Sequence, residues 1–414
     1  MNKIIQDKLT KVGVKVTPIL LPKDGVDLTK WSVVACDQYT SDPEYWKQVE
    51  NLVGVNPSTL NLVLPEIYLE SPDKMERVNK INLTMQKYLD EGIVTEKFEG
   101  MVLVERSLDG GRIQGSARTR KGLIMALDLE KYDFHKGSKT LIRATEGTVE
   151  SRIPPRLEIR KNALIEIPHI MVLIDDPNKT VIESLFSNEF PQIYDFDLMM
   201  NGGHLKGWKI TDEAEIEKIA DNLAKLISSD GLLFAMGDGN HSLATAKAYW
   251  QNLKVNLLET EIENHPARYA LVEIVNVHDE GLEFEPIHRV IFNVDKNKLE
   301  QYLVGEGKEV ELVIDGVKKI IKIKEMGSNL PVGDLQMLLD KYVVENPEAK
   351  IDYIHGSESV LKLSVENNVG ILLKGMRKEE LFATVEKDGA LPRKTFSMGE
   401  AEEKRYYLES KAIK

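Results

Sequence analysis

The stretch "LLFAMGDGNHSLATAKAYW", residues 232–250, joins an apolar run to a helix-like pattern through the loop Gly-Asp-Gly-Asn-His at residues 237–241. A helix that begins directly after a glycine-rich loop has unpaired backbone N–H groups in its first turn. These groups and the helix dipole favour a bound anion, and phosphate is the usual one. The pattern therefore predicts a strand, a phosphate-binding loop and a helix in that order.

The side chains of the loop suit the same ligand. Gly237 and Gly239 permit backbone turns that a Cβ atom would block. His241 and Ser242 can donate hydrogen bonds to phosphate oxygens, and Asn240 can reach a ligand or a metal-bound water. We therefore treat residues 237–242 as the candidate phosphate loop.

Asp238 does not fit a simple phosphate site, because a carboxylate repels a phosphate. It fits if it binds Mg²⁺ or acts on a hydroxyl group. The alternative is a structural turn in which Asp238 is a local cap and His241 is exposed to solvent. The loop alone leaves both interpretations open.

Composition limits the class of protein. The chain has 414 residues, 42% hydrophobic residues and a net charge of −13, so we expect two or three globular domains and neither a nucleic-acid nor a membrane partner. The single cysteine fits a reducing compartment. The lysine-rich N-terminus does not resemble a signal peptide, and apolar runs long enough to span a membrane are absent from the sequence. These features predict a cytoplasmic protein.

The order of the patterns predicts a mixed α/β fold. We divide the chain into an N-terminal α/β region (1–95), a catalytic core (96–292), a small α/β domain (293–390) and a C-terminal tail (391–414) that can fold back on the core. In the core, "MVLVERSL" and "RIQGSARTRKGLIMALDL" predict a hairpin with its turn at residues 109–111. Asp212 and Glu215 open a predicted amphipathic helix.

Two further segments carry candidate site residues. The segment 106–121 is rich in arginine, including Arg118, and can neutralise phosphate charge; alternatively it is a solvated face of the hairpin. Glu146, in "IRATEGT", is an acid among small residues and a candidate general base, although such a residue is more often a surface carboxylate. Arg152, Arg156 and Arg160 follow it at helical spacing.

The histidines and the cysteine show weaker patterns. The His-x-His and His-Glu-x-x-His spacings of zinc sites do not occur in the sequence. His169 lies in the apolar segment "LIEIPHIMVLIDDP", which predicts a strand with a core histidine. Cys36 is expected to be buried, and Asp37 after it can point into a cleft.

Five ordered motifs, "RTRKGLIMALDLEKYDF", "IRATEGT", "GDGNHSLATA", "EPIHRVIF" and "LPRKTF", resemble the prokaryotic family called domain of unknown function 1015. The family label implies no reaction. The middle of the chain also resembles the ParB/sulfiredoxin superfamily, and within it the free L-serine kinases. That resemblance implies a mixed-sheet core with a strand–glycine loop–helix phosphate site.

The kinase resemblance assigns roles to particular residues. Glu146 matches the catalytic glutamate of those kinases, and Asp238, Gly239 and His241 match their Asp-Gly-His-His-Arg motif. Asn240 and Ser242 depart from that motif. Asn240 replaces its first histidine, and Ser242 stands where an arginine would hold a donor phosphate. The resemblance then leaves the cationic role to another residue, for which the candidates are Arg156, Arg118 and Lys394.

The resemblance implies a small-molecule kinase that uses Mg²⁺ and ATP, ADP or pyrophosphate. Its acceptor is a small hydroxyl metabolite, with free L-serine as one candidate. Glu146 would be the general base, Asp238 would orient the hydroxyl or bind Mg²⁺, and the rest of the loop would hold phosphate. The alternatives are a ParB-like nucleotide switch without a small acceptor and a small-molecule phosphatase that uses the same site. A homodimer is left open.

Overall fold

The computed structural model describes residues 1–108, 118–392 and 394–414. The predicted hairpin turn at residues 109–111 lies outside the described residues, as does Arg112 of the arginine-rich segment. The α-helices of the described residues are α1 Lys3–Lys11, α2 Pro43–Val53, α3 Lys74–Asp90, α4 Ile153–Arg160, α5 Glu213–Lys225, α6 Asn240–Lys254, α7 Glu259–Ile262, α8 Lys296–Leu303, α9 Pro331–Glu345, α10 Ser357–Leu363 and α11 Glu380–Asp388.

The strands alternate with these helices, which confirms the predicted mixed α/β fold. They are β1 Val14–Lys15, β2 Thr17–Pro22, β3 Val94–Leu108, β4 Arg118–Asp128, β5 Tyr132–Asp133, β6 Ile142–Arg143, β7 Ile165–Glu166, β8 Met171–Ile174, β9 Gln192–Asp197, β10 His204–Ile210, β11 Phe234–Asp238, β12 Tyr269–Asn276, β13 Phe284–Phe292, β14 Val304–Ile314, β15 Val317–Ile323, β16 Lys350–His355, β17 Val369–Leu372, β18 Phe396–Met398 and β19 Lys411–Ala412. Single 3₁₀ turns occupy Leu28–Lys30, Thr59–Asn61, Glu66–Tyr68, Leu129–Lys131, Glu150–Arg152, Glu183–Ser187, Pro266–Arg268 and Ala401–Glu403.

The chain divides into two compact units. The first contains residues 1–144, 148–282 and 400–414, and the second contains residues 145–147 and 283–399. The predicted division into four segments is not tested by this partition and stays a prediction.

The first unit is built on a mixed sheet. The strand order is β5-β6-β11-β8-β12-β4-β3-β10-β9, with β1 paired to β4 and β2 paired to β3. The predicted hairpin is present, since β3 and β4 pair antiparallel from Val102–Ile124 to Leu108–Arg118. Strands β8 and β12 are parallel, whereas β11 runs antiparallel to β8.

The core lies on both faces of this sheet. Along β3, Met101 and Leu103 belong to one apolar cluster, while Val102 and Val104 belong to the other. Successive side chains of a strand point to opposite faces, so alternating membership means that both faces are covered. Helices α1, α5 and α6 contribute to the first cluster, and α3 contributes to the second.

Helix α5 confirms the amphipathic prediction. Oδ1 of Asp212 accepts hydrogen bonds from the N–H groups of Ala214 and Glu215, both at 3.0 Å. This cap satisfies two of the N–H groups that a helix start leaves unpaired. The predicted apolar stripe is buried as far as Leu223.

The segment around His169 differs from its prediction. Residues 164–174 form two short strands, β7 and β8, joined by an irregular link that contains Pro168 and His169. Proline lacks the N–H group needed for a strand ladder, which explains the interruption. His169 is half-buried and lines a cavity, so the prediction of a core histidine is wrong.

The end of the described chain is an integral part of the first unit. Arg405 bridges to Val34, Ser410 bridges to Leu20, and β19 pairs with β7. Tyr406 to Lys411 are all buried. This segment reaches the same region as the candidate phosphate loop.

The second unit has its own antiparallel sheet. Its order is β15-β14-β17-β13-β16, with β18 paired to β13. Helices α8 to α11 connect these strands. Arg289 is fully buried in this unit and donates to the carbonyl oxygens of Ile287 and Lys394.

Candidate functional site

The phosphate loop has the predicted strand–loop–helix form. Strand β11 ends at Asp238, Gly239 follows in the left-handed conformation with φ 80° and ψ 29°, and α6 begins at Asn240. A Cβ atom on Gly239 would lie 3.2 Å from the Cα atom of Ile170. Both the positive φ and this close approach require glycine at residue 239.

The start of α6 is available to a ligand. The N-cap residue is glycine, which has no side chain to accept from the first helical N–H groups. Two nearby side-chain oxygens, Oδ1 of Asn240 and Oγ1 of Thr148, are buried and lack a hydrogen-bond partner among the described residues. Buried polar atoms are normally paired, so this region has unused capacity for a polar ligand.

Asp238 is held by two contacts. Its Oδ1 accepts from the N–H group of Gly239 at 2.9 Å, and its Oδ2 pairs with Nζ of Lys404 at 3.1 Å. Both charged side chains are partly exposed. The lysine therefore places a cation beside the loop, and it comes from the C-terminal segment.

The loop also limits how a metal ion can bind. Within the described ranges, no group of three His, Cys, Asp or Glu side chains is arranged to hold a metal ion. Mg²⁺ commonly uses one or two carboxylates together with substrate phosphates. Asp238 suits that role as a single protein ligand.

His241 is held as a neutral imidazole. Burial and the positive charges of Arg156 and Arg152 lower its pKa to about 4, against a smaller opposing effect of Asp37. Its Nε2 accepts from the N–H group of Val149 at 3.3 Å. A neutral ring that accepts at Nε2 carries its proton on Nδ1, so Nδ1–H is a donor.

Ser242 faces His169. The Oγ atom of Ser242 lies 3.0 Å from Nε2 of His169, and the imidazole packs edge-on against Tyr406 with ring centroids 5.3 Å apart. Burial opposes ionisation of Asp37, but the facing His169, the Gln38 amide and other groups lower the pKa of its carboxyl. The Ser242–His169 pair, in which Ser242 lies on the first turn of α6, is therefore close to the Asp37 carboxylate.

A cavity of about 160 Å³ opens beside this pair. Its polar lining residues include His169, Ser242 and Thr245, which we call its polar end. Its walls are mainly apolar and include the buried side chains Leu62, Leu64, Ile81, Met85, Ile165 and Leu271. We call this space the apolar cavity.

The charged side chains in the cavity walls are paired with each other. Nε of Arg156 donates to Glu66 at 2.8 Å, and Arg160 forms a close ion pair with Glu166. Burial opposes ionisation of Glu166, but Lys411 and Arg160 together lower the pKa of its carboxyl. Arg156 is thus near the loop, as predicted, yet its charge is already balanced.

Cys36 also lines the cavity and is half-buried. Burial, with Asp37 adding to it, raises the pKa of the thiol to about 12. The thiolate is the nucleophilic form of cysteine. Cys36 is therefore part of the wall and unsuited to nucleophilic chemistry at neutral pH.

Arg118 lies away from the phosphate loop. Across the sheet, Asp238 pairs with Met171, Met171 with Glu273, and Glu273 with Ile124. Arg118 is six positions from Ile124 along β4, which corresponds to roughly 20 Å at about 3.4 Å per residue. It lines a different cavity, and its guanidinium lies 4.0 Å from Glu403, the residue before Lys404. Its role as a phosphate-binding cation stays a prediction.

Glu146 and Lys394 belong to the second unit, whereas the other predicted site residues belong to the first. Glu146 is half-buried and forms a parallel bridge with Leu391. The N–H group of Leu391 donates to the carbonyl of Thr145 at 2.6 Å. Lys394 has a φ of 57°. The roles assigned to Glu146 and Lys394 stay predictions.

Sequence reasoning missed Lys404 and the role of His169, and it underrated Asp37. The motif "EEKRYY" contains the relevant lysine, but nothing local connects it to a loop so far away in the chain. Pro168, by contrast, was a visible signal that the segment around His169 was not a continuous strand.

Comparison with known proteins places the chain in a family. The sequence matches the family described as "Protein of unknown function (DUF1015)" over residues 20–413. The chain belongs to this family, as the five motifs predicted. No curated protein matches the sequence significantly.

Solved structures give distant matches. A conserved hypothetical protein from Pyrococcus furiosus has 12% sequence identity and a TM-score of 0.34, with 70% of this chain and 95% of that chain covered. A free serine kinase variant in complex with ADP has 10% identity and a TM-score of 0.38, with 70% and 92% covered. The same kinase in complex with AMP has 11% identity and a TM-score of 0.38, with 70% and 91% covered.

Among the described residues, the helices are too short or too polar to cross a membrane.

Proposed function

We propose that this chain is a phosphotransferase that binds the phosphate groups of a donor at the start of α6 and transfers one to a small hydroxyl compound. The observation that carries the proposal is the uncapped first turn of α6 behind the left-handed Gly239. Backbone N–H groups in this arrangement bind phosphate without a charged side chain. The unpartnered hydroxyl of Thr148 can donate to a phosphate oxygen at the same place.

A second substrate distinguishes a transferase from a nucleotide switch. The apolar cavity adjoins Ser242, which lies in the first turn of α6. An acceptor bound there would present its hydroxyl close to a phosphate held by the helix N–H groups. Phosphoryl transfer depends mainly on such positioning and on charge neutralisation.

The charges near the loop suit this chemistry. Lys404 is paired with Asp238, and burial together with the positive charges of Arg156 and Arg152 lowers the pKa of His241, so both arginines act on the loop. We assign to Lys404 and Arg152 the cationic role that Ser242 cannot fill. Asp238 orients the acceptor hydroxyl or binds Mg²⁺, which supplies further neutralisation of the donor phosphates.

Glu146 is the proposed general base on the acceptor hydroxyl. A half-buried carboxylate can take a hydroxyl proton in the transition state when it lies within hydrogen-bond reach. This role rests on the kinase resemblance, and it is tested separately from phosphate binding.

The test begins with purified protein, Mg²⁺ and the donors ATP, ADP and pyrophosphate, each with a panel of hydroxyl compounds that includes L-serine. Phosphorus NMR should detect a new phosphate ester with at least one pair. Hydrolysis of a donor at the same rate with and without every acceptor would refute the transferase and favour a switch or a phosphatase.

The variant Glu146→Gln should bind the donor with unchanged affinity and lose turnover by at least a hundredfold, which is typical of general-base removal. The exposed Glu150 in the same segment offers a matched control, Glu150→Gln, which should keep full activity. Full activity of Glu146→Gln would refute its role but leave the phosphate loop untouched.

A further inference from the structure

The apolar cavity has a size that restricts its ligand. Its volume is about 160 Å³, and a well-studied apolar cavity of about 150 Å³ in another protein holds one benzene ring. A group with about six non-hydrogen atoms therefore fits the space, which is partly open to solvent.

The walls also restrict the charge of the ligand. The two arginines that line the cavity are already ion-paired, Arg156 with Glu66 and Arg160 with Glu166, which Lys411 also contacts. A ligand carboxylate would therefore compete with a protein carboxylate for either arginine. The Cys36 thiol is neutral at physiological pH. Burying an ammonium or carboxylate group without a partner is strongly unfavourable. A zwitterionic amino acid is therefore a poor ligand for these walls.

The polar end of the cavity fixes the orientation. Ser242 and His169 lie within hydrogen-bond distance of each other and both line the cavity. A hydroxyl group is able to donate to one of them and accept from the other. The apolar part of such a ligand then packs against the apolar lining residues, which include side chains of α3 and the 62–64 segment.

We propose that the apolar cavity is the acceptor pocket and that it takes an uncharged, compact alcohol with an apolar body, in preference to free L-serine. The assignment of the cavity as the acceptor pocket rests on the proposed phosphotransferase function, but the ligand class follows from the cavity alone. The reaction forms a bond between the alcohol oxygen and the donor phosphorus and breaks the bond between that phosphorus and the donor's bridging oxygen. The hydroxyl proton passes to the general base of the proposed reaction.

The test measures binding without any phosphate donor, so its result does not depend on transfer. Saturation-transfer NMR titrations compare 3-methyl-1-butanol with L-serine, which is similar in size but zwitterionic. The alcohol should bind, and L-serine should give no saturable signal. From ethanol to 3-methyl-1-butanol, affinity should rise roughly fourfold for each added carbon. This series needs only the unmodified protein.

Two matched variants localise the binding. Val63 is half-buried and lines the cavity, whereas Val55 is 102% exposed and lies outside it. Val63→Phe should weaken alcohol binding at least tenfold, and Val55→Phe should leave it unchanged. If Val63→Phe does not fold, Ala163→Leu narrows the cavity from another wall.

Three binding results overturn the inference. They are L-serine binding that Val63→Phe abolishes, alcohol binding that Val63→Phe does not weaken, and a flat alcohol series. Phosphoryl transfer to L-serine but not to apolar alcohols would overturn it as well, while supporting the proposed function. Alcohol binding at the cavity with no transfer from any donor would support the cavity's ligand class and refute the phosphotransferase.

Discussion

Replacing Glu409 with glutamine changes one carboxyl group at the centre of the first unit. Glu409 is fully buried, and its Oε1 accepts from the hydroxyl of Tyr194 at 2.7 Å. Its Oε2 lacks a partner among the described residues. Burial raises the pKa of this carboxyl from 4.5 to about 7, even though the Tyr194 hydrogen bond opposes the shift.

The sign of the effect follows from proton binding. Between pH 4.5 and about 7, Glu409 holds its proton in the folded protein and loses it in the unfolded chain. Folding is therefore favoured most below pH 4.5, and this contribution is lost as the pH rises through 7. The difference between a pKa of 4.5 and one of about 7, at about 1.4 kcal/mol per pH unit, lowers the free energy of unfolding by about 3 kcal/mol.

Glutamine keeps an acceptor oxygen for Tyr194 but has no proton to lose. The free energy of unfolding, measured by urea denaturation between pH 5 and pH 8.5, should fall less steeply for Glu409→Gln than for the wild type. At pH 8 the variant should be more stable by about 3 kcal/mol.

An exposed carboxylate provides the control. Glu189→Gln, on the surface of the same unit, should run parallel to the wild type over the whole pH range. Parallel curves for Glu409→Gln and the wild type would refute the reasoning, because Glu409 would then carry its charge in the folded protein at no free-energy penalty. A loss of stability in the variant at pH 8 would refute it as well.

Three further predictions concern the site. Gly239→Ala places a Cβ atom against Ile170 at a φ of 80°, so it should lower stability by at least about 1 kcal/mol and weaken pyrophosphate binding measured by calorimetry; unchanged binding would argue against the loop. Lys404→Met leaves Asp238 uncompensated and should weaken pyrophosphate binding roughly tenfold, whereas tighter binding would show that the lysine blocks the site. Cys36, with its pKa near 12 against an ordinary 9.0, should react with iodoacetamide at pH 8 roughly a thousandfold more slowly in the folded than in the unfolded protein; equal rates would contradict its burial.

The parts of the fold that sequence predicted are those fixed by local patterns. The cap at Asp212 and the stripe of α5 need only a few consecutive residues, and so does the passage from β11 through Gly239 into α6. In each case the backbone hydrogen bonds and the turn chemistry are decided within one or two helical turns. Family motifs added the order of these elements but no contacts.

The parts that sequence did not predict depend on contacts between distant segments. Arg156 was a candidate phosphate ligand because of its position after Glu146, but its partner, Glu66, lies 90 residues away. His169 meets Ser242 across 73 residues. Spacing along the chain carries no information about such pairs, so the charge balance of the site emerges only after folding.

The discontinuous composition of the first unit has a consequence for biosynthesis. Lys404, which pairs with Asp238, is translated after residues 283–399, which belong to the second unit. At about 5 to 20 residues per second, synthesis of that stretch takes roughly 6 to 23 s. During this interval the nascent chain carries the phosphate loop without its lysine, and the sheet without the buried segment 405–411. A ribosome stalled in this interval would therefore display a first unit that has its central strands but not its site, and such a chain is an expected client for chaperones.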